Sequence, residues 1–148
     1  PDAGETPLHD AAALAADLGV ANVWIKDERN RMGLGSFKAL GAAYVIAHDA
    51  QSGRAKGRTY VTASAGNHGM SVAAGASAFG ASAVVYIAET VPEVFADRLR
   101  ALGAQVVREG AIYEDSMAAA MRGATLSAGS KNTRSSCTGF HARNGNTW

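Results

Sequence analysis

The chain has one cysteine, Cys137, in 148 residues. A single thiol excludes an intrachain disulfide framework and a cysteine-rich metal site, and such sparing use fits a reducing compartment. A charge excess is missing as well: fourteen Lys and Arg stand against thirteen Asp and Glu, for a formal charge of +1. No dense basic block is present to hold nucleic acid, and the densest cluster, Arg54, Lys56 and Arg58, reads as a solvated loop. No apolar run is long enough to span a bilayer, and no signal peptide is visible. A soluble, cytoplasmic protein is expected, with no membrane, nucleic-acid or metal partner.

What is abundant is small or apolar. Hydrophobic residues make up 47% of the chain and glycine contributes 17 copies. That balance belongs to a globular domain with tight turns and closely packed elements, and the length suffices for a real core.

Patterning divides the chain into alternating elements. Leu14, Leu18 and the alanines between them predict the buried face of a first helix, stopped by Gly19. Val20 to Lys26 reads as a short strand, with Val23 and Ile25 on one side and Trp24 on the other. Residues 51–58 break the pattern and form a connection. Then come strand 59–63, a helix reaching Phe79, strand 81–87, a helix from the Pro92 region through Leu102, and strand 105–107. Strands alternating with helices are the βαβ signature, which favours parallel strands covered by helices. Gly80 and Gly103 suit positive-φ helix stops. A last helix is expected over 112–121. Beyond Gly123 the tail is rich in Ser, Thr, Gly and Asn and reads as irregular or disordered. The division is thus 1–122 as a core and 123–148 as an atypical tail.

Two segments carry chemistry. The first, KDERNRMGLGSFKALGAAYVIA from Lys26 to Ala47, passes from a charged turn into a helix capped by Ser36. Leu40, Ala43, Tyr44 and Ala47 recur near helical spacing and are the expected core face. Lys38 is the helix's only basic residue and sits in its first turn, where an ammonium is less favoured than at the other end. Packing that dried the site would push the amine toward its neutral, nucleophilic form. The bland alternative is a surface lysine near a cap.

The second segment, Thr62-Ala-Ser-Ala-Gly-Asn-His-Gly69, joins a strand to a helix of small residues. Such a junction aims free backbone N–H groups at an anion. Ser64 adds a hydroxyl, Asn67 an amide, and Gly66 permits close approach of a ligand. Simple helix capping by Ser64 is the alternative, and His68 fits a structural hydrogen bond better than acid–base work.

Together these segments resemble the N-terminal part of fold-type II pyridoxal phosphate enzymes, the tryptophan synthase β-chain and threonine dehydratase group. The run around Lys38 is especially similar to diaminopropionate ammonia-lyase. The resemblance implies a three-layer α/β fold with a mostly parallel sheet and flanking helices, incomplete relative to the family, with residues 1–122 including most of the small domain. It implies pyridoxal 5′-phosphate as cofactor, a small amino acid as substrate, and a homodimer. Lys38 corresponds to the lysine that bonds the cofactor's aldehyde and later removes the substrate's α-proton. Asn67 corresponds to the contact with the cofactor's 3′ oxygen. Ser64, Ala65, Gly66, Asn67 and His68 correspond to the loop and helix start that hold the substrate carboxylate. The implied reaction is β-elimination from 2,3-diaminopropionate to pyruvate and ammonia. Serine or threonine deamination, or a non-catalytic fragment, are the alternatives.

The chain departs from the family pattern in two places. Diaminopropionate ammonia-lyases commonly carry Asp, the proposed base for the D-isomer, where this chain has Ala65. Asp27 and Glu28 are formal substitutes, but they read better as organisers of the turn before Lys38. The family's later glycine-rich phosphate loop, and its contact to the pyridine nitrogen, are not located here. The Gly33-Leu-Gly35 turn lies on the wrong side of Lys38 to replace that loop, and Cys137 offers no convincing pyridine contact.

Overall fold

A computed structural model describes residues 3–128 and 135–137. A β-hairpin-like pair comes first: β1 (Leu8–Asp10) and β2 (Trp24–Lys26) run antiparallel, with Leu8 opposite Lys26. Between them lies α1 (Ala12–Leu18). A 3-10 turn (Arg31–Gly33) leads into α2 (Lys38–Gln51). The main body follows as β3 (Thr59–Ala63), α3 (Asn67–Ala78), β4 (Ser82–Ile87), α4 (Glu93–Ala101), β5 (Ala104–Arg108), α5 (Tyr113–Ala128) and β6 (Ser135–Cys137).

The four later strands form one parallel sheet in the order β5-β4-β3-β6. Side chains alternate across it, as a period of two requires. Tyr60 of β3, Ala83, Val85 and Ile87 of β4 and Ala104 of β5 share one core with α2, α3 and α4. Val61, Ala63, Val84 and Tyr86 meet Ala120 and Ala124 of α5 on the opposite face. This is a three-layer α/β fold, with helices on both faces of the parallel sheet and a small antiparallel pair beside it. The expected helix stops at Gly80 and Gly103 adopt φ of 66° and 88°. No helix among the described residues is long and apolar enough to cross a membrane.

Several sequence expectations need correction. The buried face of α2 is Ala39, Ala42, Ile46 and Asp49, whereas Leu40 and Tyr44 are exposed. Ala43 and Ala47 are only half-buried. Residues 39–47 of this helix carry no polar side chain except the Tyr44 hydroxyl, so periodicity could not fix its phase. Helix α2 packs on α3 instead, where a Cβ at Gly75 would come within 3.0 Å of Ile46 Cδ1. In α1 only Ala15 is buried, and Leu14 and Leu18 face outward. Strand β2 is confined to Trp24–Lys26, all of it exposed. Helix α5 continues past Met121 to Ala128. Within the tail expected to be irregular, Ser135–Cys137 pairs with Thr59–Val61. Residues 129–134 and 138–148 of that tail lie outside the described residues.

The basic cluster is not a purely solvated loop. Asp49, at the end of α2, accepts hydrogen bonds from Arg54 and Arg58 and from the hydroxyl of fully buried Tyr60 at 2.9 Å. Arg58 also lies over the Tyr60 ring, 5.5 Å from its centroid. Lys56 of the same cluster is exposed. Burial pushes the Asp49 carboxyl up, but hydrogen bonds from Tyr60 and Arg54 and the Arg58 charge outweigh it and leave a lowered value.

Two measurements check this packing. In urea unfolding, Ile46→Ala should cost about 2–5 kcal/mol, while Tyr44→Ala should stay within about 0.5 kcal/mol of the unaltered chain. A carboxyl with a lowered folded pKa stabilises above its unfolded value and loses that contribution as pH falls. Asp49→Asn should therefore cost about 2–3 kcal/mol at neutral pH. The difference should shrink as pH falls below the ordinary value of 3.8.

Candidate functional site

The sheet's strand order reverses at β3. From β3 the chain steps outward through β4 to β5, then places β6 on the other side of β3. In open parallel sheets such a reversal separates the connections on either side, and ligands bind beyond the carboxyl ends of the strands there. The Ser64–Gly66 turn leaves the carboxyl end of β3 at that reversal. Sequence periodicity carries no signal for this, because strand order depends on long-range pairing.

The turn is firmly held. Ser64 N–H donates to the Tyr86 carbonyl at 3.1 Å, extending the β3–β4 ladder by one step. Gly66 is the N-cap of α3 in extended geometry, with φ −103° and ψ −153°, and as a glycine it has no side chain with which to cap the helix. A Cβ at Gly66 would meet no atom within 4 Å, so the space over the turn is open. Asn67 is exposed; Ser64, Ala65, Gly66 and His68 are half-buried. The Ser71 hydroxyl donates to the Asn67 carbonyl at 2.7 Å and secures the first turn of α3.

Sequence spacing alone gives Gly69 no role. A side chain there would overlap the Ser64 carbonyl oxygen and press on Leu99 Cδ2 at 3.2 Å. The absence of a Cβ lets the first turn of α3 lie directly on the loop. The signal was the glycine closing the Ser64–Gly69 run.

Lys38 is the first residue of α2, and its N–H donates to the hydroxyl of buried Ser36 at 3.2 Å. The N-cap of α2 is Phe37, one residue past the expected Ser36, which reaches the helix only through that hydroxyl contact. Lys38 itself is exposed, and the dry surroundings anticipated for it are not supplied by the described residues. The helices that begin with the two chemical segments, α2 and α3, pack against each other. A separate shallow cleft lies before α2, between Lys26–Arg29 and Ser36–Phe37. Neither Lys38 nor the Ser64–His68 segment lines that cleft.

Asp27 and Glu28 organise this approach. Arg29 donates to Asp27 through its side chain and its backbone N–H, holding the carboxyl well below the usual range. Hydrogen bonds from Arg31 and then from Thr6 hold Glu28 down to about 2. An ionised, fully engaged carboxylate is a poor proton acceptor near neutral pH.

What the arrangement offers is an exposed primary amine opening one helix and a glycine-capped N-terminus opening its neighbour. An amine takes up an aldehyde, and a helix start attracts an anion. Gly69→Ala should displace the Ser64–Gly66 turn and cost about 1–3 kcal/mol. Urea unfolding reads the cost, and amide chemical-shift changes centred on Ser64 to Gly66 read the displacement.

A model of the pyridoxal-phosphate dependent enzyme family matches residues 1–137. The diaminopropionate ammonia-lyase of Salmonella typhimurium is 33% identical over 142 residues, covering 82% of this chain and 35% of its own. The L-threonine ammonia-lyase of Thermotoga maritima is 36% identical over 111 residues, covering 75% of this chain and 27% of its own. The solved structure of Escherichia coli diaminopropionate ammonia lyase in complex with D-serine matches with a TM-score of 0.75 and 31% identity. That match covers 83% of this chain and 36% of the other. The chain spans about a third or less of the length of these relatives. On these matches the chain belongs to the fold-type II pyridoxal-phosphate dependent enzymes, related to diaminopropionate ammonia-lyase.

Proposed function

We propose that this chain contributes the lysine and the carboxylate-binding turn of a pyridoxal phosphate-dependent ammonia-lyase acting on 2,3-diaminopropionate. The observation that carries the reading is the glycine-capped start of α3 behind the Ser64–Gly66 turn, with exposed Lys38 opening the helix packed beside it. Bound pyridoxal phosphate supplies an electron sink for the substrate's α-carbon. With that group bound, Lys38 would hold its aldehyde through the ε-amine, Asn67 would face its 3′ oxygen, and the Lys38 amine would take the substrate's α-proton. Ser64, Ala65 and Gly66, with Asn67 and His68 at the start of α3, would receive the α-carboxylate and fix the orientation of the Cα–H bond. The β-amino group would leave as one ammonia, and hydrolysis at the α-carbon would give pyruvate and a second.

Ala65 has no group that takes a proton, so the reading is restricted to the L-isomer. The same Ala65, within Ser-Ala-Gly-Asn-His, favours a second reading, deamination of L-serine or L-threonine. The likeness to an L-threonine ammonia-lyase supports that alternative.

Incubation with pyridoxal phosphate and borohydride should fix an adduct on Lys38, located by peptide mass spectrometry. Lys38→Ala should abolish that adduct and lower ammonia release about 10²–10⁴-fold. L-Diaminopropionate should release ammonia fastest and the D-isomer none above background. Faster release from L-threonine would transfer the assignment to the second reading, and absence of any Lys38 adduct would end both.

A further inference from the structure

We propose that Thr6, Glu28 and Arg31 form a positioning clamp that sets the path along which Lys38 enters the site. The inference rests on the role given to Lys38 above. Arg31 is only 7% exposed, so its guanidinium is withdrawn from water and depends on protein partners. It has them on every side. Nε and Nη2 donate to the two Glu28 carboxylate oxygens at 2.6 and 2.9 Å. Nη2 also donates to Thr6 Oγ1 at 2.9 Å, and Nη1 to the Gly4 carbonyl at 2.5 Å. The Thr6 hydroxyl closes the ring by donating to Glu28 Oε1 at 2.5 Å. A paired guanidinium and carboxylate fix distance and plane together, which a point charge does not.

The clamp joins two distant stretches of chain. Lys26 Nζ donates to the Thr6 carbonyl at 2.5 Å, and Asp27 N–H donates to the Pro7 carbonyl at 2.9 Å. Only residues 32–37 separate Arg31 from Lys38, and that connection has little slack. Leu34 N–H donates to the Arg31 carbonyl at 2.9 Å, and Gly33 N–H to the Asn30 carbonyl at 3.3 Å. Met32, Gly33 and Gly35 all have positive φ, at 51°, 70° and 73°. For Met32, with its side chain, that conformation is uncommon and must be held in place by its surroundings. Buried Ser36 then hands the chain to Lys38 through the hydroxyl contact already described. A shift at Arg31 is therefore carried to the start of α2.

Thr6→Val keeps the shape of the side chain and removes both its donor and its acceptor, while Thr6→Ser keeps both. The test uses the full chain with pyridoxal phosphate and borohydride, and reads labelling at Lys38 relative to exposed Lys56 by peptide mass spectrometry. In Thr6→Val the Lys38-to-Lys56 ratio should fall about ten-fold, with unchanged far-ultraviolet circular dichroism. Thr6→Ser should restore the ratio, and Glu109→Gln, which removes a surface ion pair with Arg122, should leave it unchanged. If Thr6→Val loses its circular dichroism, Glu28→Gln carries the same comparison. Lys38 labelling that persists at full ratio in the folded clamp variant overturns the clamp alone. An unaltered chain that never labels at Lys38 overturns the functional reading and the clamp with it.

Discussion

Burial of β3 on both faces is the constraint from which the rest follows. Tyr60 and Thr62 point to one side and Val61 and Ala63 to the other, and all four are buried. A parallel strand covered by helices on both sides has no exposed face on which to carry reactive groups. In such sheets ligands are met at the strand's end, where the ladder stops and a helix begins. The Ser64–Gly66 turn occupies that place, and Gly69 keeps the following helix close enough for the turn to stay compact.

Helix α2 is bracketed by two charged networks. At its end, Asp49 gathers Arg54, Arg58 and Tyr60, tying the helix to the first strand of the parallel sheet. Before its start, Arg31 gathers Glu28, Thr6 and the Gly4 carbonyl, tying the approach to the N-terminal segment. Neither is an isolated surface pair, which would contribute little. Each contains a withdrawn charge with several hydrogen bonds, and its value lies in fixing geometry. Helix α2 is thereby held at both ends while Lys38 stays exposed at one of them.

The motifs were legible because they are local. The Ser36 contact to Lys38, the turn at 64–66 and the alternation of strands 59–63 and 82–87 with helices all follow from short-range spacing. Failures of the reading share one cause. Over residues 39–47 helix α2 has no polar side chain but the Tyr44 hydroxyl, so Leu40 and Tyr44 looked as suited to the core as Ala39 and Ile46. Likewise Leu14 and Leu18 outrank Ala15 in hydrophobicity, yet Ala15 alone is buried in α1. Where a helix packs closely, the small residue goes inside because a larger one does not fit. The arginines of 54–58 read as solvated because Asp49, their partner, belongs to the preceding helix.

The sequence by itself determined the kinds of element, their order, and the two segments on which the family resemblance rests. Those depend on propensity, turn residues and spacing within a few residues. Tertiary structure alone decided that β6 lies beside β3 and makes that strand the point of reversal. It also decided which face of α2 is buried and that Arg31 is clamped to Thr6. Each of these depends on contacts between residues far apart in the chain, whose energies no local pattern encodes.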